Sequence, residues 1–185
     1  MVRISSEIAE CTRCEISTTR LNTVPGEGDI ESSIVLVGEA PGKKEDELGR
    51  PFVGRAGILL DDLLESVELH RTNVYILNIL KCRPPKNRRP KKSEVVKCES
   101  YLRRQLEVLK PRVIVPMGNS SLSFFQGMFD LDKEVIGEVH GKAVNINTNW
   151  GTALLFPLYH PAAAIYNRLL LDTLKEDLEK LIENL

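Results

Sequence analysis

The stretch SIVLVGEAPG, residues 33–42, decides the class of fold. Its first six residues form a short apolar run that ends in Gly38, which is typical of a strand buried on both faces of a parallel sheet. Beyond the turn that follows, residues 56–69 place leucines along one helical face. A buried strand followed by an amphipathic helix is the repeating unit of α/β proteins.

The same alternation continues to the C-terminus. Further strands are predicted at residues 73–80, 112–118 and 152–160, with helices at 93–109, 120–128 and over the amphipathic C-terminal segment. Ser93 is the predicted cap of the longest helix, and residues 135–147 predict a hairpin with Gly141 near its turn. The pattern predicts an α/β fold, a three-layer α/β/α sandwich with a central, mainly parallel four-stranded sheet. With 185 residues and 42% hydrophobic content, one domain covering residues 1–185 is expected.

Polar side chains stand where three of these strands end. Glu39 follows the first strand, Asn78 lies near the end of the second, and His160 follows the fourth. Ligands of parallel sheets bind beyond the carboxyl ends of the strands, so these side chains form a candidate site. The glycine-rich loop after the first strand does not match the phosphate-binding G-x4-G-K-[ST] pattern, because its spacer is one residue short and Lys44 replaces the hydroxyl residue.

The N-terminal segment, MVRISSEIAECTRC, has no apolar core of the kind that marks a targeting signal. No stretch of the chain approaches the roughly 20 apolar residues of a membrane span. A cytoplasmic protein is therefore expected, with no membrane partner and with its thiols reduced.

Four cysteines then predict a metal site. Cys11 and Cys14 form a C-x2-C pair, whereas 15 residues separate Cys82 from Cys98. The site would join residues 11–14 to residues 82–98 and stiffen the loop between the second pair. Thiolates select zinc or an iron–sulfur cluster, and the spacing leaves the choice between them open.

Residues 80–98 also concentrate positive charge. They contain eight basic side chains and one acid, Glu94, although the net charge of the whole chain is −1. A basic loop on an otherwise acidic protein indicates contact with a polyanion, the alternative being a merely solvated loop.

Three motifs and the four cysteines together resemble family 4 uracil-DNA glycosylases, the iron–sulfur members of the uracil-DNA glycosylase superfamily. The motifs are GEAPGKKEDELGRPFVGRAG (38–57), YILNILKCRPPKNRRP (75–90) and HPAA (160–163). The resemblance implies a [4Fe-4S] cluster held by Cys11, Cys14, Cys82 and Cys98. It also implies a DNA repair enzyme that flips uracil out of single- or double-stranded DNA, hydrolyses its N-glycosidic bond and leaves an abasic site.

The resemblance assigns three residues to the uracil base. Asn78 is expected to read its edge, donating to O4 and accepting from N3–H, a pattern that cytosine reverses. Phe52 is expected to stack on the flipped base. His160 is expected to donate a hydrogen bond to O2 as negative charge builds on the departing base.

Further residues take less direct roles in this comparison. Glu39 is expected to orient or activate water, or to stabilise the positively charged sugar. The backbone of Ala40 and Pro41 would line the pocket, and Glu45 would exclude the methyl group of thymine. The implied DNA contacts are Arg83, Lys86, Arg88, Arg89, Lys91, Lys92 and Arg168.

Turnover is expected, because the loop KNRRPKKSE lacks the histidine through which a related group traps its product covalently. Three residues fall where the family inserts a wedge into DNA, and the sequence does not single out which of them is the wedge: Ile165, Tyr166 and Arg168. The protein is expected to act as a monomer, with a sliding clamp or other repair proteins as further partners. Two other functions stay open: a non-catalytic nucleic-acid-binding module built around a four-cysteine metal site, and an enzyme acting on free nucleotides or bases.

Overall fold

Four parallel strands form the middle of a mixed sheet in the computed structural model, which describes residues 1–184. The strands are β1 (Glu27–Gly28), β2 (Ile34–Gly38), β3 (Tyr75–Asn78), β4 (Val113–Pro116), β5 (Val144–Thr148) and β6 (Gly151–Leu155). Their order across the sheet is β1-β3-β2-β4-β6-β5. Strands β3, β2, β4 and β6 pair in parallel, whereas β1 and β5 pair antiparallel at the two edges.

Helices cover both faces of this sheet. The helices are α1 (Val2–Ala9), α2 (Lys43–Leu48), α3 (Arg55–Glu65), α4 (Lys92–Leu109), α5 (Asn119–Met128), α6 (Ile136–Val139), α7 (Pro161–Tyr166) and α8 (Leu169–Glu183). One face of the sheet packs against α3, α7 and α8, and the other face packs against α4 and α5.

Alternate residues of the central strands supply the two halves of the core. In β2, Ile34 and Leu36 pack with the residues of α3 and α8, whereas Val35 and Val37 pack with those of α4 and α5. All five residues of β2 are buried, which explains the continuous apolar run in the sequence. Polar chemistry is therefore confined to the ends of these strands.

The prediction of a four-stranded sheet was wrong, because the sheet has six strands within residues 1–184. The four predicted strands are its parallel centre. The edge strand β1 is only two residues long and contains Gly28, whose φ is +129°. So short a segment has no apolar alternation from which a strand could be predicted.

The predicted hairpin at residues 135–147 was also wrong. Ile136 and Val139, three residues apart, lie on the buried side of the short helix α6, and Gly141 follows that helix. The hairpin is formed instead by β5 and β6, which pair from Val144–Leu155 to Thr148–Gly151. In β5 only Ile146 is fully buried, so its apolar signal was weaker than that of the residues before it.

Helix α4 begins one residue earlier than predicted, and Ser93 is not its cap. The capping position is Lys91, whose backbone N–H donates to Glu94 Oε2 at 2.7 Å. Along this helix Leu102, Leu106 and Leu109 are buried. Val96, however, is 65% exposed. In the described part of the chain, no helix is both long and apolar enough to cross a membrane.

Candidate active site

The predicted site residues meet in one cleft of about 440 Å³ at the carboxyl ends of the parallel strands. A volume of this size suits a small ligand. The cleft brings together the residues that the resemblance assigned to the uracil base and to the walls around it: Glu39, Ala40, Pro41, Glu45, Phe52, Asn78 and His160.

Asn78 lies at the floor of this cleft and is 2% exposed. It ends β3 directly beside Gly38, the last residue of β2. A Cβ at Gly38 would lie 2.3 Å from Asn78 Oδ1 and 2.7 Å from Phe52 Cζ. Only glycine therefore leaves room for the amide and the aromatic ring to come together above the end of β2.

The loop that carries Phe52 is held in a strained conformation from two sides. The φ of Phe52 is +49°, a region that costs about 1–3 kcal/mol for a residue with a side chain. Glu45 Oε1 accepts the backbone N–H groups of Val53 at 2.9 Å and Gly54 at 2.8 Å. Arg71 donates to the carbonyl oxygens of Pro51 and Phe52. These contacts fix the position of the Phe52 ring.

His160 faces Phe52 across the cleft, with ring centroids 5.5 Å apart and planes inclined by 28°. Its Nδ1 accepts the backbone N–H of Ala162 at 3.1 Å, so in the neutral ring Nε2 carries the proton. Burial lowers the pKa of His160 to about 4, although the charge of Glu45 acts in the opposite direction. The ring is therefore a neutral hydrogen-bond donor at physiological pH.

Glu39 lies on the rim that connects the cleft to a neighbouring groove. Its backbone carbonyl accepts the N–H of Leu80 at 3.1 Å, which continues the pairing of β2 and β3. Its carboxylate forms no hydrogen bond or ion pair with the described residues. A carboxylate without a protein partner is available to bind a water molecule or to face a positively charged sugar.

Two polar side chains of the basic loop, Asn87 and Arg88, also line the cleft, and sequence reasoning missed them as pocket residues. Asn87 has a φ of +55° and ends a short turn over Pro85–Asn87. Arg88 forms a two-point ion pair with Glu94, at 2.6 and 2.9 Å. The Pro-Pro pair before them signalled a turn, but nothing local indicated that the turn reaches the cleft.

The other cations of this loop divide into paired and unpaired groups. Arg83 Nε donates to Asn87 Oδ1 at 2.7 Å, and Lys91 Nζ lies 3.5 Å from Glu15. Lys86, Arg89 and Lys92 form no ion pair with residues 1–184. Arg168, at the start of α8, is likewise exposed.

All four cysteines line one cavity between α1, α4 and the segment after β3, and all four are free thiols. Burial raises the pKa of Cys82 to about 11, while Arg20 Nη1, 3.2 Å from its sulfur, favours the thiolate. No three Cys, His, Asp or Glu side chains of residues 1–184 form a group that could hold one metal ion. Four soft sulfur donors around a shared cavity fit an iron–sulfur cluster.

Lys81 lies between the cysteine cavity and the cleft. Its side chain is 1% exposed and lines the cavity, and its Nζ donates to the carbonyl oxygen of Asn78 at 2.7 Å. Burial lowers the pKa of Lys81 to about 8, whereas the nearby thiols of Cys98 and Cys82 favour its charged form.

Comparison with known proteins gives a consistent result. The family model of the Uracil DNA glycosylase superfamily matches residues 25–185. The chain is 45% identical to the Type-4 uracil-DNA glycosylase of Archaeoglobus fulgidus, over 97% of this chain and 90% of that protein. It is 43% identical to the one from Saccharolobus solfataricus, over 98% and 85% of the two chains. The one from Thermotoga maritima is 42% identical, over 96% and 90%.

Proposed function

Because this chain belongs to the uracil-DNA glycosylase superfamily, and within it to the type-4 group, we propose that it hydrolyses the N-glycosidic bond of deoxyuridine in DNA. The reaction adds water to the sugar, releases uracil as a free base and leaves an abasic site. The observation that carries the proposal is the meeting of Asn78, Phe52 and His160 in one cleft at the ends of parallel strands.

Recognition begins with a uridine that has been flipped out of the DNA stack. The uracil ring enters beside Phe52, and the Asn78 amide donates to O4 and accepts from N3–H. A cytosine would leave these buried groups unpaired, which can be worth about 10⁴–10⁵ in selectivity. Glu45 holds the Phe52 loop by its backbone and lies on the wall where a thymine methyl group would be excluded.

Bond cleavage places negative charge on the departing base. The Nε2–H of neutral His160 donates to O2 and stabilises that charge, and removal of one such donor costs about 10²–10³ in rate at comparable sites. The unpaired carboxylate of Glu39 accepts a proton from the attacking water or stabilises the positively charged sugar. The backbone of Ala40 and Pro41 closes the wall around the base.

The four cysteines would hold a [4Fe-4S] cluster. When bound, the cluster supplies a rigid cross-link between residues 11–14 and residues 82–98, so the basic loop is anchored beside the cleft. Protein purified without oxygen is expected to be brown, with nearly equal amounts of iron and inorganic sulfide. A colourless protein that contains one zinc ion would contradict the cluster.

The basic loop binds the phosphates on either side of the flipped nucleotide. The unpaired cations Lys86, Arg89 and Lys92 are its main contacts, supported by the exposed Arg168 at the start of α8. The remaining loop cations, Arg83, Arg88 and Lys91, contribute while they hold the loop in shape. In the cell the protein acts as a cytoplasmic monomer. Other repair proteins bind its abasic product, and a sliding clamp is a further partner.

One incubation tests the function against both alternatives. Single-stranded and duplex oligonucleotides that contain one uracil are expected to release free uracil and to acquire an alkali-labile site. Matched oligonucleotides with thymine, and the free nucleoside deoxyuridine, should remain intact. Binding without release would indicate a non-catalytic module, and cleavage of the nucleoside would indicate an enzyme of small molecules.

A further inference from the structure

A second concave surface adjoins the uracil cleft and shares Glu39 with it. This groove of about 700 Å³ lies between the first turns of α4 and one face of α5, and we refer to it as the α4–α5 groove. Its volume is within the range of about 300–1,000 Å³ in which proteins bind ligands. Of its lining residues, the steps described above use Glu39, Arg89 and Lys92, and they leave the α5 side of the groove without a role.

The walls of the α4–α5 groove combine small residues with one aromatic ring. On α5, the positions Ser120, Ser123, Phe124 and Gly127 follow helical spacing and so share one face. Phe124 is half-buried, and a Cβ at Gly127 would have no neighbour within 4 Å. The α5 wall is therefore smooth and open, with the Phe124 ring as its largest apolar surface.

The opposite wall of the groove is positively charged. Arg89 and Lys92 line it, and neither forms an ion pair with any residue that the structure describes. Val96, whose apolar side chain is 65% exposed, also lines the groove. An aromatic platform beside unpaired cations is the chemistry that proteins use to hold single-stranded nucleic acid.

We propose that the α4–α5 groove binds single-stranded DNA next to the flipped uridine, with a flanking base stacked on Phe124 and phosphates near Arg89 and Lys92. The groove is continuous with the cleft at Glu39, so the strand that enters one can pass into the other. In duplex DNA the flanking base stays stacked and paired, and only a single strand can use the groove. This inference rests on the proposed function and specifies its substrate.

Binding to an uncleavable substrate tests the proposal. The protein is titrated with an oligonucleotide carrying 2′-fluoro-2′-deoxyuridine, as a single strand and as a duplex. We expect Phe124→Ala to lower the ratio of single-strand to duplex affinity by about 5- to 100-fold, the usual effect of removing one stacking ring. An unchanged ratio would overturn the proposal and leave a peptide or another protein as the ligand of the groove.

Phe129→Ala is the matched control. Like Phe124, Phe129 packs against the ring of Phe125, but it lines a different pocket, beside Trp150. The control is expected to keep the wild-type affinity ratio, and a loss equal to that of Phe124→Ala would also overturn the proposal. The same titrations with an oligonucleotide that lacks uracil test the groove even if no uracil is released by the wild type.

A second inference concerns Lys81 and rests on a different observation. A fully buried ammonium group normally needs a carboxylate partner, but Lys81 forms no ion pair with a carboxylate among residues 1–184. Its hydrogen-bond acceptor is the carbonyl oxygen of Asn78, at 2.7 Å, and its side chain lines the cavity that the four cysteines share. Cysteines that held a metal centre there would be thiolates and would place negative charge beside this side chain.

We infer that Lys81 is a positioning residue that links the cysteine site to the end of β3. Its side chain lies along the cysteine cavity, and its Nζ holds the backbone carbonyl of the residue that reads uracil. Loss of this link would displace Asn78, and a displacement of about 1 Å can cost about 10²-fold in rate.

Two readouts test the link. In Lys81→Met we expect single-turnover uracil release to be about 10- to 100-fold slower, and loss of the visible cluster absorbance in the presence of an iron chelator to be faster. Lys97→Met is the control, because Lys97 also lines the cysteine cavity but is exposed; it should change neither. A change in only one readout would overturn the link. If Lys81→Met does not fold, Lys81→Arg, which keeps the cation, is measured in the same two ways. A change in only one of the two readouts would again overturn the link.

Discussion

The backbone N–H of Ala162 donates to Nδ1 of His160 at 3.1 Å and so holds the ring in one tautomer. Nε2 then carries the only ring proton and is free to donate to a ligand in the cleft. Because burial lowers the pKa of His160 to about 4, the ring is uncharged at neutral pH. The residue can therefore stabilise negative charge on a leaving base without first binding a proton.

The same lowered pKa is expected to reduce stability in mild acid. The unfolded chain binds a proton at this ring near pH 6.5 and the folded chain only near pH 4, so the unfolded state binds more protons between these values. The effect of this ring on the free energy of unfolding is absent above about pH 6.5. As the pH falls from 6.5 towards 4, the ring lowers the free energy of unfolding by up to about 1.4 kcal/mol per pH unit. Urea unfolding at pH 5 and pH 7 should show a smaller loss in His160→Gln than in wild type. His70→Gln, which changes an exposed histidine, should behave as wild type, and equal losses in all three proteins would contradict the prediction.

Asn78→Asp is expected to lose most uracil release. An ionised carboxylate cannot donate to O4, but it can accept from the exocyclic amine of cytosine, so weak cytosine release is expected in its place. Single-turnover assays on both substrates isolate the chemical step. The change is nearly isosteric, so a variant that is brown, folded and as fast as wild type on uracil would show that Asn78 does not read the base.

Arg71→Met is expected to slow uracil release by about 10-fold or more, because it frees the carbonyl oxygens of Pro51 and Phe52 and lets the strained loop relax. Arg50→Met is the matched control. Both arginines bind the carboxylate of Glu27, but the side chain of Arg50 donates to neither the Pro51 nor the Phe52 carbonyl oxygen. Equal single-turnover rates in the two variants would show that the hydrogen bonds from Arg71 to this loop have no catalytic role.

The salt dependence of DNA binding is expected to depend on how many unpaired cations of the basic loop contact phosphates. If about half of its eight basic side chains meet phosphates, the slope of log K against log salt on duplex DNA should be about −3 to −4. Replacing Lys86, Arg89 and Lys92 together with alanine should reduce the slope by nearly 3, at about 0.9 per contact. Lys110→Gln removes a charge at the opposite end of α4 and should leave the slope unchanged. An unchanged slope in the triple variant would indicate a merely solvated loop.

Tyr166 is expected to be the wedge that fills the gap left by the flipped base. It ends α7, the helix that begins beside His160, and it is 89% exposed. Tyr166→Ala should slow uracil release from a duplex much more than from a single strand, because only the duplex has a base stack to fill. Tyr166→Phe keeps the ring and should retain the duplex rate. Equal losses on both substrates in Tyr166→Ala would assign the wedge elsewhere.

Several features could be predicted because they depend on local order in the chain. The apolar runs at β2, β3 and β4 are continuous because both faces of these strands are buried, so they can be recognised without a structure. Asn78 and His160 were predicted from their positions just where such runs end. The short edge strand β1 and the hairpin formed by β5 and β6 could not be predicted. Edge strands are held in place by their neighbours and carry little apolar pattern of their own.

The sequence by itself determined the parallel centre of the sheet, the positions of Glu39, Asn78 and His160 at strand ends and the four cysteines, since each depends on residue type and on spacing along the chain. Only the tertiary structure decided that Arg71 and Glu45 hold Phe52, that Lys81 joins Asn78 to the cysteine cavity, and which loop cations are unpaired. These contacts join residues that are distant in sequence or depend on the direction of one side chain. Their energies arise only when burial removes water and brings the partners together, which is why no local pattern records them.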